Sequence, residues 1–443
     1  MIFLSLHLER ENLLLIIGKN NYMKKILFLG SNKGVFQMVS EANKLGYYTI
    51  VTDYLEPEMS NAKQIASEYW MLSTADIDAL ELKCKENSIG GIACGISGFN
   101  INSALELTKR LDLPFYCTLE TRQKSLIKSD FKAMCKNAKV PVAKDFFVSN
   151  PPTEPELSAI EFPVMVKAVD QGSNRGMSYC YKKEDILPAI NYAHTFSKNE
   201  KFIIERMLHG VEYTAYYALA NGEASLVCLY TDLSQPGTPN SCYAINTTAC
   251  DKLDLYLKEV DPYFKDMLKN EGMKEGICWI ELILDEDGHF YALDMGYRMT
   301  GDMMAIPIMD VYGFNSYRWM VEIAAGIKHK KEDLPLLKGN KPEKCGCSYI
   351  LWSDGKPGTV AEIVGLEDVL NNENIILTTD VKIGSKYKAY QYLLTFSFTC
   401  DDVETVCQTI EKINHVKVLN TEGVDVSIHF SDFDKLRKIY YSN

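Results

Sequence analysis

Glu281, Asp294 and Arg298 are the residues of this chain best suited to chemistry. They fall in residues 276–302, GICWIELILDEDGHFYALDMGYRMTGD, which read as a β-hairpin with a carboxylate on each arm. The apolar run 277–284 meets a turn at Asp285-Glu286-Asp287-Gly288, and residues 289–295 run back. A loop of two or four residues pairs Leu284 with His289, so that Glu281 faces Ala292 and Trp279 faces Asp294. Side chains alternate along a strand, so the two acids then share a face as diagonal neighbours, about 7–8 Å apart at the backbone. A three-residue loop instead sends them to opposite faces. Arg298, beyond Asp294, follows on that face if the chain stays extended. Two carboxylates and one guanidinium, on a sheet backed by Ile280, Leu282, Leu293 and Met295, suit Mg²⁺ with a nucleotide. Magnesium takes one or two carboxylates plus phosphate oxygens, and arginine steadies charge on a transferring phosphoryl group. Taken alone, the segment also reads as a solvent-facing hairpin with ordinary surface charges.

The elements that must position these groups come from a chain of 443 residues, long enough for two or three domains with separate cores. Its 47% apolar and 24% charged residues are those of an ordinary globular protein, and the formal net charge of −12 disfavours nucleic-acid or anionic-membrane surfaces. The 13 cysteines are scattered, with no C-x-x-C pair and no secretory signal, which reads as reduced thiols in a cytoplasmic chain. Cys345-Gly-Cys347 has no second Cys/His cluster nearby and does not read as a zinc site. Residues 1–22 carry two apolar runs broken by Glu9, Arg10 and Glu11, neither a membrane span nor a signal core. Met23-Lys24-Lys25 looks like a natural start, so residues 1–22 are expected to be an ill-packed extension.

From Lys25 strands alternate with helices. KILFLG is a buried strand, Val35, Met38, Val39, Ala42 and Leu45 mark a helix face, and YYTIVTD is a second strand ending at Asp53. A helix near 76–87, a strand at Gly91–Cys94, a helix at 102–111 and a short strand at 114–117 complete a doubly wound α/β pattern. The first loop, Gly30-Ser31-Asn32-Lys33-Gly34, lacks the second glycine of a dinucleotide fingerprint, so NAD or FAD binding is disfavoured. Residues 128–140 read as a helix, with Ile127, Phe131, Met134, Cys135 and Ala138 on one side, stopped at Val140-Pro141. Residues 162–230 read as mostly β, with Asn221-Gly222 closing a hairpin, and a mixed α/β tail begins near Lys341.

Two upstream segments carry further chemistry. Residues 162–178, FPVMVKAVDQGSNRGMS, place Lys167 on a short strand ahead of a loop with Gly172, Ser173, Asn174, Arg175 and Gly176. The lysine is a point charge and the small residues let amides approach phosphate oxygens, although no Walker A pattern is present. Residues 201–212, KFIIERMLHGVE, set Glu205 and Glu212 around a linker, where backbone at Met207 and Leu208 could read an adenine edge and Glu212 could accept from ribose hydroxyls. Each segment alone also reads as a plain turn with surface charges.

In order, these pieces resemble the ATP-grasp superfamily: Lys128 ahead of Val140-Pro141, Pro163-Val164-Met165-Val166-Lys167 with Gly172–Gly176, then Glu205, Gly210 and Glu212, then Glu281, Asp294 and Arg298. The likeness covers most of the chain, and its start is similar to the pre-ATP-grasp domain of biotin carboxylase and carboxylate–amine ligases. The fold it implies is α/β: a Rossmann-like pre-ATP-grasp domain (23–120), an ATP-grasp domain of two α+β subdomains (121–335, lid about 145–208) and a small α/β C-terminal region (336–443). It implies ATP phosphate contacts from Lys128, Lys167 and the loop Gly172, Ser173, Asn174, Arg175 and Gly176. Glu205, Arg206, Met207 and Leu208 would line the adenine and Glu212 the ribose. Glu281 and Asp294 would bind Mg²⁺, with Lys167 and Arg298 catalytic. Two departures stand out: Asp294 replaces a usual glutamate, and Gly296 stands where the family often has a metal-ligating asparagine, leaving a second metal short of a ligand.

The activity so implied is ATP- and Mg-dependent joining of a carboxylate, through an acyl phosphate, to an amine, both small molecules. Positioning and charge stabilisation would carry the rate. A lid from the 145–208 region would exclude water, and similar enzymes are commonly homodimers. The alternatives are a carboxylase-type enzyme, for which no A-M-K-M biotin acceptor is present, and a nucleotide-binding module with weakened catalysis. Arg175, Arg298 and the Met-rich segment 299–309 are candidates for the acceptor pocket, and core packing is the competing reading for that segment.

Overall fold

The computed structural model describes residues 23–169, 176–197, 201–238, 242–337, 343–378 and 381–441. The expectation for residues 1–22, and those for Gly172, Ser173, Asn174 and Arg175, fall outside them. Among the described residues no helix is long and apolar enough to cross a membrane.

The first layer is a four-stranded parallel sheet in the order β3-β2-β1-β4, built from β1 (Lys25–Leu29), β2 (Tyr48–Asp53), β3 (Glu68–Met71) and β4 (Gly91–Cys94). Ile26, Leu27, Phe28 and Leu29 are fully buried, as expected for a strand paired on both sides beneath helices. The helix Lys33–Lys44 follows β1, capped by the Asn32 side chain, which accepts from Val35 N at 3.2 Å. Gly30 has φ +82°, and a Cβ there would lie 2.2 Å from Asn100 Nδ2. That amide donates to Leu29 O at 3.2 Å. The glycine therefore answers to Asn100 and to a left-handed turn.

The segment expected as a strand at 114–117 joins no sheet. Tyr116 packs edge-on against Tyr297, and its carbonyl accepts from the Tyr297 hydroxyl at 2.9 Å, which holds the segment to residues beyond the hairpin.

The second layer is a nine-stranded sheet in the order β13-β12-β9-β10-β11-β14-β18-β16, with β20 beside β14. Its strands are β9 (Gly210–Ala220), β10 (Glu223–Ser234), β11 (Tyr243–Thr247), β12 (Gly276–Asp285), β13 (Phe290–Gly296), β14 (Cys345–Ser353), β16 (Ile375–Leu377), β18 (Tyr392–Cys400) and β20 (Ser427–Ile428), while β15 (Gly358–Val364), β17 (Lys386–Tyr387) and β19 (Lys417–Asn420) form a separate three-stranded sheet. The sheet runs without a break from the hairpin into the tail. Asn221 (φ 50°) and Gly222 (φ 80°) make the expected tight turn between β9 and β10.

A smaller sheet, order β5-β8-β6-β7, comprises β5 (Asp145–Phe146), β6 (Val164–Ala168), β7 (Met177–Cys180) and β8 (Phe202–Arg206). The helix Ile186–Phe196 covers it with Ile186, Ala189, Ile190 and Ala193. That helix corrects the mostly-β reading of 162–230. Pro188 obscured it, yet proline in a first turn removes no intrahelical bond.

The hairpin β12–β13 departs from the expected register. Asp285 N donates to His289 O at 3.0 Å and Gly288 has φ +82°, so the loop is the three residues Glu286-Asp287-Gly288. Leu284 pairs with Phe290 rather than His289, and Leu282 with Ala292. By parity alone this loop would part the acids. A β-bulge at Leu293 restores them: the pairing skips that residue, and Glu281 stands directly opposite Asp294, with Trp279 opposite Gly296. Leu293 is therefore not a backing residue. It packs with Ala143, Leu208, Ile283 and Tyr291, while Ile280, Leu282 and Met295 belong to the main core as expected.

Close approach of β9 to β12 rests on Gly210, where a Cβ would fall 1.8 Å from Leu284 O. Backbone cannot yield as a side-chain tip can. Gly210→Ala is expected to cost about 1–3 kcal/mol, the scale of an overpacked site. Urea unfolding would measure it, and an unchanged midpoint would contradict this account of the β9–β12 packing.

Candidate active site

The helix Lys128–Ala138 packs beside β13 and presents Lys128 and Lys132 on one face, four residues apart. Lys128 Nζ lies 2.8 Å from Asp294 Oδ2. Burial alone would depress that ammonium, but Asp294, Glu281 and Glu205 outweigh it and raise its pKa. Glu281 is pushed up to about 8, by burial first and then by the facing Asp294 and by Glu212, against the opposing pull of Lys128 and Arg298. Two carboxylates placed opposite each other resist ionising together, so this pair is short of positive charge at neutral pH.

A second cluster lies on the small sheet. Met165 pairs with Glu205, which puts Lys167 diagonally across from that carboxylate, and the two form an ion pair. Lys132 Nζ reaches Glu205 from the other side at 2.8 Å and also contacts Asp145. Burial works to raise the Glu205 pKa, but Lys167 and Lys132 override it and hold the carboxyl at about 2. Glu205 therefore spends its oxygens on two lysines rather than on an open face.

Between the clusters runs the linker. Met207 N donates to Pro163 O at 3.1 Å, and Leu208 is buried against Ala143, Ile283, Tyr291 and Leu293. These side chains form a small packed apolar cluster against the β12–β13 hairpin. Arg206 turns toward the hairpin loop: it pairs with Asp285 at 3.0 Å and lies over the Tyr291 ring at 5.0 Å. Glu212 sits opposite Ile283, two positions from Glu281 on the same sheet face, and accepts from the Tyr243 hydroxyl. Burial, the largest effect, raises the Glu212 pKa, against the Tyr243 hydrogen bond and the charge of Lys167.

Arg298 lies over the Trp279 ring at 5.1 Å and donates to Met299 O at 2.7 Å. Burial and the nearby charge of Arg122 lower its pKa. Trp279 fills the space a side chain at position 296 would need, since a Cβ on Gly296 would sit 2.2 Å from Trp279 Cζ2. Gly176, which precedes β7, has φ +71°. Met299, Met303 and Met304 are buried in the main core, so core packing is what the structure shows for them.

The structure thus brings Lys128, Glu281, Asp294, Arg298 and Glu212 to one face, with Lys167 and Glu205 on the facing small sheet. Sequence reasoning missed Lys132 and Tyr243, and it misplaced Trp279 and Leu293. Lys132 was detectable from its helical spacing to Lys128. Tyr243 was not, because its strand lies beyond an intervening hairpin. A separate cavity of about 860 Å³ opens where the first layer's loops meet the tail, lined in part by Gly30, Asp53, Ser97 and Thr378, and it does not include the acid pair.

Residues 129–229 match the family described as D-ala D-ala ligase C-terminus. The formate-dependent phosphoribosylglycinamide formyltransferase of Prochlorococcus marinus is 28% identical over 172 residues, 38% of this chain and 43% of that protein. The same-named protein of Sulfurisphaera tokodaii is 24% identical over 189 residues, 41% of this chain and 46% of that protein. The chain spans less than half the length of these curated relatives. Biotin carboxylase of Campylobacter jejuni, solved as an ATP-analogue complex, superposes with a TM-score of 0.73 at 15% identity, covering 90% of this chain and 92% of that one. An L-amino acid ligase from Bacillus licheniformis gives 0.70 at 16% identity, covering 91% and 100%.

Removing the Glu205 charge strands Lys167 and leaves Lys132 to Asp145 alone in a recessed site. Glu205→Gln is expected to cost about 3 kcal/mol at pH 7, the scale of a broken buried pair. A depressed acid pKa stabilises the fold above the unfolded value, here 4.5, and that contribution is lost as pH falls toward about 2. The gap between wild type and variant should therefore narrow below pH 4.5, as read by urea titrations at several pH values. A gap independent of pH would show that the ionised carboxylate is not the source.

Proposed function

We propose that this chain, which has the ATP-grasp fold, is an ATP- and Mg-dependent ligase that activates a small-molecule carboxylate as an acyl phosphate and joins it to an amine. The observation that carries the reading is the direct opposition of Glu281 and Asp294, with Lys128 and Arg298 beside them and Lys167 on the small sheet. An acid pair in which one carboxyl keeps its proton to about 8 has the hard oxygen donors and the charge deficit that a divalent cation fits. Mg²⁺ held by Glu281 and Asp294 would supply charge neutralisation for the phosphates of ATP.

The chain's own residues do the rest. Lys128 and Lys167, which now rest on Asp294 and Glu205, are placed to turn to phosphate oxygens. Glycine and serine of the loop 172–176 would offer amides, with Asn174 and Arg175 beside them. A purine ring would lie against the apolar cluster of Ala143, Leu208, Ile283, Tyr291 and Leu293, with backbone at 206–208 at its edge. Glu212 would exchange its Tyr243 partner for, or share it with, ribose hydroxyls. Arg298, held flat on Trp279, would stabilise charge on the transferring phosphoryl group or on the substrate carboxylate. The small sheet would close over the site and keep water from the acyl phosphate. Residues 23–120, 121–335 and 336–443 would then act as the pre-grasp, grasp and C-terminal units, in a chain that functions in the cytoplasm.

The test is release of ADP and phosphate with paired carboxylate and amine substrates, with and without Mg²⁺. Turnover should require the metal, and no release across a broad panel would favour a nucleotide-binding module. Arg298→Ala is expected to lower kcat/KM by roughly a hundredfold or more, about 3 kcal/mol of transition-state stabilisation. Near wild-type turnover would remove Arg298 from the mechanism. Magnesium titrated at pH 7 should displace about one proton, because Glu281 enters the complex protonated. Calorimetry in two buffers of different ionisation enthalpy reads this directly, and binding heats identical in both would contradict it.

A further inference from the structure

Arg122 is 2% exposed on the short helix Leu119–Lys124. Its Nε has no partner, and among the described residues no carboxylate pairs with its guanidinium. A guanidinium cannot shed its charge as a buried lysine can. Four titratable groups are shown to feel its charge, and none of them is negative. Burial pushes the Cys117 thiol up to about 12 and the Cys94 thiol higher still, so both stay neutral, as does the Tyr116 phenol. The fourth, Arg298, carries a like charge. Their proximity follows from the packing, because Tyr297 stacks edge-on against Tyr116, 5.3 Å between ring centroids, and binds its carbonyl.

The same guanidinium faces the start of the fourteen-residue helix Gly98–Leu111. A Cβ placed on Gly98 would lie 3.2 Å from Arg122 Nη2, closer than an ordinary contact, and would meet nothing else within 4 Å, so the guanidinium borders the helix start directly. Ser97 caps this helix through Asn100 N, and the amides of Gly98 and Phe99 fall in the turn that has no intrahelical acceptor. A helix start with free amides beside an unpaired buried guanidinium is an anion site by two independent features.

We infer that Arg122 and the first turn of the helix Gly98–Leu111 bind a second anionic group of the substrate, a carboxylate or a phosphate ester, distinct from the carboxylate activated at Arg298. This rests on the ligase reading and narrows it: one substrate is at least a dianion that spans from Arg298 to the amino-terminal layer. Gly98 serves as the spacer, since any side chain there would fill the anion's place.

The probes are inorganic phosphate and malonate, titrated calorimetrically into the full chain saturated with Mg²⁺ and a non-hydrolysable ATP analogue, which occupies the nucleotide site. Arg122→Gln should weaken the tighter probe by roughly tenfold or more, the loss of one charge-assisted contact. Phosphate as the tighter probe indicates a phosphorylated substrate, and malonate a dicarboxylate. Normal analogue binding with an unchanged probe affinity in Arg122→Gln overturns the anion site alone. Failure of the wild type to bind the analogue overturns the nucleotide reading instead. Should the variant not fold, wild-type crystals soaked in phosphate decide the matter: an anion within hydrogen-bond reach of Arg122 supports the inference, and anions found only elsewhere refute it.

Discussion

Two like charges forced to face each other organise this molecule's functional face. Glu281 and Asp294 belong to neighbouring antiparallel strands and stand in register, an arrangement that costs stability unless positive charge is near. The surrounding groups act in that sense. Lys128 reaches Asp294 from the helix at the edge of the sheet, Arg298 is carried past the strand end onto Trp279, and one carboxyl keeps its proton. The small sheet is balanced instead: Glu205 lies between Lys167 and Lys132, and Lys132 also meets Asp145. The charge deficit is thus confined to the acid pair.

Much of this was legible in the residues, for reasons that differ from element to element. The parallel strands announced themselves because strands buried on both faces must be apolar throughout, as Ile26–Phe28 are. The helix carrying Lys128 showed its apolar stripe, and the Asn221-Gly222 turn its left-handed pair. The acids were found but their register was not. Parity arguments assume an unbroken ladder, and the residue that breaks it, Leu293, looks like any other apolar strand residue. It leaves the ladder because Ala292 N bonds Pro141 O and the side chain has a hydrophobic cluster to join, both set by segments distant in sequence. Tyr243 and Arg122 were invisible for the same reason: their importance lies in partners, or the lack of them, that only packing reveals.

The small sheet connects to the large one through few residues, and several of them are polar. Arg206 bonds the hairpin loop through Asp285 and Asp287, and His209 N bonds Asp285 Oδ1 at 2.8 Å. The same loop thus sets both the turn that begins the strand offset and the anchor of the small sheet.

The contact between Trp279 and Gly296 bears on how such a site can change over time. Any side chain introduced at 296 by a single substitution would drive its first carbon into the indole, so the tryptophan must shrink first. Shrinking it, however, removes the flat platform under Arg298. Each step alone passes through a damaged protein, which makes the glycine–tryptophan pair a lock: neither residue can change unless the other changes with it.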